Sequence, residues 1–270
     1  MKNDEKKQLV HAFWNSASCG EELYFSGDDK RAFREQARIR YELEPYISEF
    51  AKFKESRGLK VLEVGVGLGA DHQQFAEAGA DLYGLDLTER AVAHTRSRLA
   101  MFECESELSV GDAEHLHFVD DKFDVVYSWG VLHHSPNTSQ AILEVLRVLK
   151  PGGQARVMIY HYWSMVGLML WLRYAICRGR PFRSLRDVYA EHLESPGTKA
   201  YTVKEARQLF ESYTSVRIRT VLTHGDLLES DAGQRHRGVM LALARRIWPR
   251  RIIRWLFPWA GLFMLIEAEK

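Results

Sequence analysis

The chain has 270 residues, 46% of them apolar and 27% charged, enough for one large α/β domain with additions and short for two independent ones. Its 37 Lys and Arg against 36 acids leave a net charge of +1, which gives no general case for a nucleic-acid partner. Three widely spaced cysteines, Cys19, Cys104 and Cys177, make no disulfide framework or metal knuckle and read as reduced, cytoplasmic thiols.

The opening MKNDEKKQLV is charged and has no apolar core or cleavage site, so no secretion signal is expected. Residues 31–53 read as two helices. Phe33, Ala37 and Tyr41 recur at i, i+4, i+8, and Leu43, Tyr46, Ile47 and Phe50 follow at i, i+3, i+4, i+7, with Pro45 dividing them. From Lys60 strands and helices alternate. KVLEVGVG, DLYGLDL, ELSVGD, FDVVYSWGV and QARVMIYH read as strands. ADHQQFAEAG, TERAVAHTRSRLAMF (Thr88 its N-cap) and SQAILEVLRVLKPGG read as helices. Short apolar runs between helices predict a parallel sheet buried on both faces and doubly wound. The rhythm breaks after His161 and returns with TVKEARQLFESY, SVRIRTVLT and FMLIEAEK, so about 162–200 and about 224–260 read as insertions. The charge-free run between Arg156 and Arg173 is sixteen residues, short of the ~20 a membrane span needs.

VLEVGVGLGADHQQF (61–75) holds the first chemical signal. Gly65, Gly67, Gly69 and Ala70 fit both the dinucleotide-binding turn and the glycine turn that holds a methyl donor. Asp86 ends the next strand, where an acid can take both hydroxyls of a ribose, and both ligand types carry one. Charge separates them better. A pyrophosphate wants the positive end of the following helix, yet Asp71 sits in that first turn and Glu63 just before the glycines. Two carboxylates suit a ligand bearing a sulfonium and an ammonium. The plainer alternative is that Asp71 only complements the helix dipole and Glu63 is a buried strand residue.

VLEVGVGLG, GLDLT, VGDAEHLHFVDDKFDVVYSWGVLHHSPN and ILEVLRVLKPGG follow one another at the spacing of class I S-adenosylmethionine-dependent methyltransferases. They most resemble the small-molecule branch related to the quinone C-methyltransferases. The likeness is close over 60–161 and loose over 201–223. It implies a mostly parallel seven-stranded Rossmann-like sheet in a domain over 58–270, with an N-terminal helical lid over 1–57 and a helical insertion after the fifth strand. It further implies that Gly65, Gly67 and Gly69 pass under the amino-acid part of the cofactor, with Glu63 and Asp71 near its cationic end. Asp86 would hold the ribose beside Leu87, Asp112 and Ala113 the adenine, and Trp129 would lie near the methionine portion. LKPGG would be a structural turn. The lid segment HAFWNSASCGEELYF (11–25) would complete the substrate pocket through Trp14 and Tyr24, with Tyr41 behind them.

The implied reaction moves a methyl group to a small or medium-sized metabolite and releases S-adenosylhomocysteine. Oxygen is the expected acceptor atom, with sulfur, nitrogen and carbon as alternatives, and a natural product or modified peptide would serve as substrate. No metal is expected. A sulfonium is already electrophilic and alignment alone supplies roughly 7–11 kcal/mol, so a missing obvious base does not argue against catalysis. His133 and His134 after the fourth strand, and Tyr160 and His161 after the fifth, are the candidate bases; the alternative is packing within the turns. SWGV stands where amino-methylating enzymes of nucleobases and glutamine carry an Asn/Asp-Pro-Pro-aromatic motif, so those substrates are not expected. An NAD-dependent oxidoreductase and a catalytically silent partner protein are the readings from other classes.

Two basic aromatic stretches stand apart. Residues 171–186 hold five Arg and no acid, and 235–254 hold seven Arg and no acid. At helical spacing Arg250, Arg251 and Arg254 share one arc, and Ile252, Ile253, Trp255 and Leu256 the other. The segment 250–259 is therefore a candidate contact with an anionic lipid surface or an apolar substrate, against the favoured plainer reading of a solvated face over an ordinary core stripe.

Overall fold

The computed structural model describes residues 3–25, 27, 29–229 and 246–270. Strands β1 (Lys60–Val64), β2 (Asp81–Asp86), β3 (Glu107–Val110), β4 (Phe123–Trp129), β5 (Leu149–Tyr160), β6 (Ser215–Val221) and β7 (Phe263–Glu269) form one seven-stranded sheet. Their order is β3-β2-β1-β4-β5-β7-β6. Every pairing among the first five strands is parallel, and β7 lies antiparallel between β5 and β6. The expected Rossmann-like sheet is present. Its winding reverses between β1 and β4, which is where such sheets open a crevice.

Successive residues of β1 enter different cores, as the period of two requires. Leu62 and Val64 pack with Val126, with Ile142 and Val145 of α7 (Thr138–Val148), and with Phe210 after α10 (Val203–Leu209). Val61 packs with Val125 and Tyr127, with Phe50 of α4 (Ile47–Ala51) and with Phe75 of α5 (Ala70–Glu77). Both faces are thus dry, and each fully buried Phe or Leu contributes about 1.5–3 kcal/mol. Thr88 caps α6 (Glu89–Met101) by accepting from the Ala91 amide.

The chain before the sheet forms α1 (Asn3–Ser16), α2 (Glu21–Tyr24), α3 (Lys30–Leu43) and α4. Asp29 caps α3 through the Ala32 amide, at 2.7 Å. Buried Arg98 of α6 clamps α3 by donating to the Phe33 carbonyl at 2.8 Å and to the Gln36 side chain, its guanidinium 4.8 Å from the Phe33 ring. Pro45 ends α3, because the residue before a proline is pushed out of helical geometry; Glu44 lies at φ −127°, ψ 61°.

LKPGG departs from expectation. It is hydrogen-bonded strand from Leu149, which pairs with Phe123, and the register shifts before Val125 pairs with Gln154. The first insertion carries α8 (Met165–Tyr174) and α9 (Leu185–His192), and the described part of the second carries α11 (Arg250–Leu256). Arg235, Arg237 and Arg245 of the basic stretch lie outside the described residues. Among the described residues no helix is long and apolar enough to cross a membrane.

Candidate active site

The carboxyl ends of β1, β2 and β4 open into a cavity of about 360 Å³, roofed by the N-terminal helices. Its floor is the glycine loop. Gly65 takes φ 90°, and a Cβ there would lie 2.1 Å from a Val131 methyl; Gly67 takes φ 53° and has nothing within 4 Å of where a Cβ would stand. The first glycine lets β1 turn under Val131, and the second leaves open space above the loop. The Gly67 amide donates to the Asp86 carboxylate at 3.2 Å, which also holds the Thr88 amide at 3.0 Å.

Every residue that the resemblance assigned to the cofactor lines this cavity: Glu63, the three glycines, Asp71, Asp86, Leu87, Asp112, Ala113 and Trp129. Several already have partners. Glu63 meets His72 Nδ1 at 2.8 Å, and Nε2 of the same ring lies 2.8 Å from the Ser106 hydroxyl. Burial, with Asp71 nearby, pushes the Glu63 carboxyl well above its usual range, while burial pushes the His72 imidazole down to about 3. Asp71 is bound on every side. Arg40 donates to both its oxygens at 3.0 and 2.6 Å, Tyr41 donates at 3.0 Å and Tyr127 at 2.8 Å. Burial opposes ionisation of Asp71, but Arg40 and the two hydroxyls outweigh it and hold it below the usual carboxylate range. Asp112 accepts from Lys7 of α1, which also donates to Glu114 at 2.9 Å.

Trp14 and Tyr24 line the cavity as expected residues of its wall, and Tyr41 does not: its hydroxyl is spent on Asp71 beneath the wall. Of the candidate bases, His134 and Tyr160 reach the cavity, whereas His133 and His161 are absent from its wall. His133 is fully buried, its ring 3.9 Å from the Tyr160 ring, and burial lowers it well below the ordinary histidine value. His161 faces the Gly261 carbonyl at 3.1 Å and is likewise lowered by burial. His134 Nδ1 lies 2.8 Å from the Ser195 hydroxyl.

One end of the cavity holds residues that motif spacing missed: Cys19, Arg40, Glu44 and Glu194. Glu44 meets Arg40 at 3.3 Å and accepts from the Trp129 side chain; burial pushes it up to about 7. Glu194, in the loop after α9, accepts from the Tyr160 hydroxyl at 2.7 Å and lies 3.3 Å from His134 Nε2. Cys19 opens onto the same space, where burial and then Glu194 and Glu44 push its thiol up to about 12. The pair Arg40 and Glu44, four apart in RIRYELEP, was the available signal, but surface helices carry many such pairs.

A family model described as a methyltransferase domain matches residues 62–157. The chain is similar to phosphoethanolamine N-methyltransferase 2 of Caenorhabditis elegans, 33% identical over 116 residues, 42% of this chain and 26% of that protein. It is similar to methyltransferase GfsG of Streptomyces halstedii, 33% identical over 105 residues, 38% of each chain. Sterol 24-C-methyltransferase of Yarrowia lipolytica is 34% identical over 133 residues, 48% of this chain and 33% of that protein. The chain therefore spans well under half the length of these curated relatives. Among solved structures, phosphoethanolamine N-methyltransferase 2 of Haemonchus contortus, in complex with phosphomonomethylethanolamine and S-adenosylhomocysteine, has a TM-score of 0.63 at 15% identity. That match covers 98% of this chain and 60% of the other.

Proposed function

We propose that the chain, whose residues 62–157 match a methyltransferase-domain family model, transfers a methyl group from S-adenosylmethionine to a small or medium-sized metabolite. The observation that carries this reading is one cavity joining the open glycine loop, Asp86 and Asp112 to an aromatic end. The residues fit the cofactor. The space above Gly67 admits a ligand against the backbone, Asp86 stands where two ribose hydroxyls would be held, and Asp112 offers an acceptor to the adenine amino group. Bound, S-adenosylmethionine supplies a methyl carbon already activated by its sulfonium.

The chain's own contribution is alignment and proton removal. Trp129, Tyr160 and Phe263 wall the acceptor end and keep water from the reacting atoms. Oxygen or nitrogen acceptors both shed a proton, and Glu44 and Glu194 stand at that end to receive it. Titration calorimetry tests the reading: S-adenosylhomocysteine should bind, and Asp86→Asn should weaken it about 10–100-fold, the worth of hydrogen bonds to a charged group. Tight binding of NAD with none of S-adenosylhomocysteine would overturn it.

The surface around α11 supports a second contact. Ile253 is buried, but Ile252, Trp255, Leu256 and Trp259 are exposed, Trp255 at 80%, beside Arg251. We propose that this face rests on an anionic lipid surface.

A further inference from the structure

We propose that the aromatic end of the cavity binds its methyl acceptor as a protonated amine, held between the Glu44 and Glu194 carboxylates and the Trp129, Tyr160 and Phe263 rings. The proposal rests on the methyltransferase reading and adds the class of acceptor.

The charges at this end do not balance. Arg40 is the cation that reaches Glu44, yet its two shortest bonds go to Asp71, so its charge is largely committed there. Glu194 has the Tyr160 hydroxyl and the His134 imidazole as neighbours; both contacts fall on Oε2, so Oε1 keeps its capacity to accept. The two carboxylates are within electrostatic reach of one another and of Cys19 and Tyr160. A neutral acceptor would leave them facing across a low-dielectric space. A cation between them removes that penalty.

The walls suit the same guest. Trp129 packs edge-on against Phe263 with centroids 5.7 Å apart, and Tyr160 stacks on Phe263 at 5.8 Å, so three aromatic rings adjoin the two acids. Ring faces attract an ammonium, and more strongly when water is excluded. The groups facing Glu44 are Arg40, Asp71, Glu194, Cys19, Tyr46, Tyr160 and Trp129. Burial among them raises its proton affinity toward that needed to deprotonate a bound ammonium at neutral pH.

The step balances. The ammonium gives one proton to the Glu44 carboxylate and exposes the nitrogen lone pair. That pair forms the new N–C bond while the S–C bond breaks, its electrons returning to sulfur to leave a neutral thioether. The methylated amine leaves as an ammonium, carrying the positive charge that left sulfur, and Glu44 releases to water the proton it accepted.

The test compares isosteric probes on protein saturated with S-adenosylhomocysteine: phenethylamine against 2-phenylethanol, by calorimetry at pH 7. The ammonium should bind at least about tenfold more tightly, the lower value of a hydrogen bond to a charged group. The preference should vanish in the Glu44→Gln/Glu194→Gln variant while its affinity for S-adenosylhomocysteine is retained, which shows an intact fold. With S-adenosylmethionine, methylated phenethylamine should form, and Glu44→Gln alone should slow it by about 10²–10⁴-fold. Equal binding of the alcohol, no binding of the amine at millimolar concentration, or a preference that survives in the double variant would overturn the proposal. So would activity abolished by EDTA and restored by zinc. That result would place a divalent cation on His133, His134 and Glu194, whose ligand atoms lie within 4.8 Å of one another. Failure to bind S-adenosylhomocysteine at all would instead overturn the methyltransferase reading.

Discussion

Ser106 has one hydroxyl proton and donates it to the Leu82 carbonyl at 2.9 Å, so toward His72 it accepts. His72 therefore carries its proton on Nε2, and with the imidazole neutral its Nδ1 is bare. Glu63 must then be the donor across their 2.8 Å contact, which a protonated carboxyl can be. The directions in which burial moves both groups agree with this assignment. Glu63→Gln should accordingly be tolerated within about 1 kcal/mol in urea unfolding, because the amide can donate in the same place. Glu63→Ala should cost about 1–3 kcal/mol by stranding Nδ1. Loss of about 3–5 kcal/mol in the glutamine variant would mean the pair is ionised instead. The folded His72 titrates below its unfolded value, so its contribution is complete above about pH 6.5 and is lost as pH falls toward about 3. Thermal melts across that window should show it. At this scale the positions of the glycines, Asp86 and Asp112 were legible, since each ends a strand or fills a turn. The state of Glu63 and Asp71 was not. It depends on His72, nine residues on across the glycine loop, and on Arg40 and Tyr41, some thirty residues upstream of Asp71, and linear spacing does not record who pairs with whom.

Elements were legible where periodicity was strong and connections were short. The alternating burial of β6, with Ser215, Arg217 and Arg219 outward or half-outward, is what SVRIRTVLT shows in sequence. LKPGG misled because Pro and Gly signal turns, whereas here a shift in register absorbs them within β5. The return into β7 is set by Gly261, where a Cβ would stand 1.9 Å from the Val221 carbonyl oxygen. No side chain can yield there, because the obstacle is backbone. Gly261→Ala should therefore pry β6 from β7 and cost at least about 1–3 kcal/mol, the usual penalty of overpacking, read as a lowered melting temperature. Hydrogen exchange should rise in β6 and β7 before β1 and β4.

For the whole molecule, the cavity belongs to no single stretch of chain. Sheet ends provide its floor, the helices before the sheet its roof, and the first insertion brings Glu194. Residues 62–157 alone would leave it open, which is why a match to this part says little about the acceptor. The insertions also shape the exterior. α8 is joined to the second insertion where the Met165 amide donates to the Ala260 carbonyl and Asp226 accepts from Val166 and Leu262, so Trp163 and Trp259, each more than half exposed, flank one junction. Sedimentation with vesicles of anionic phospholipid should carry the protein down, and Trp255→Ala/Trp259→Ala should release most of it. Equal pelleting with zwitterionic vesicles would remove the role given to Arg251.

The Arg40 guanidinium reaches two carboxylates at once, Asp71 beside the glycine loop and Glu44 at the acceptor end. Each ligand arriving at one compartment alters how that single charge is divided, and so alters what the other compartment offers. Coupling of this kind is reciprocal. The donor and its spent form differ by one positive charge on sulfur, so turnover itself changes the balance around Arg40. The proposed acceptor would then be held against a different charge before transfer than after it.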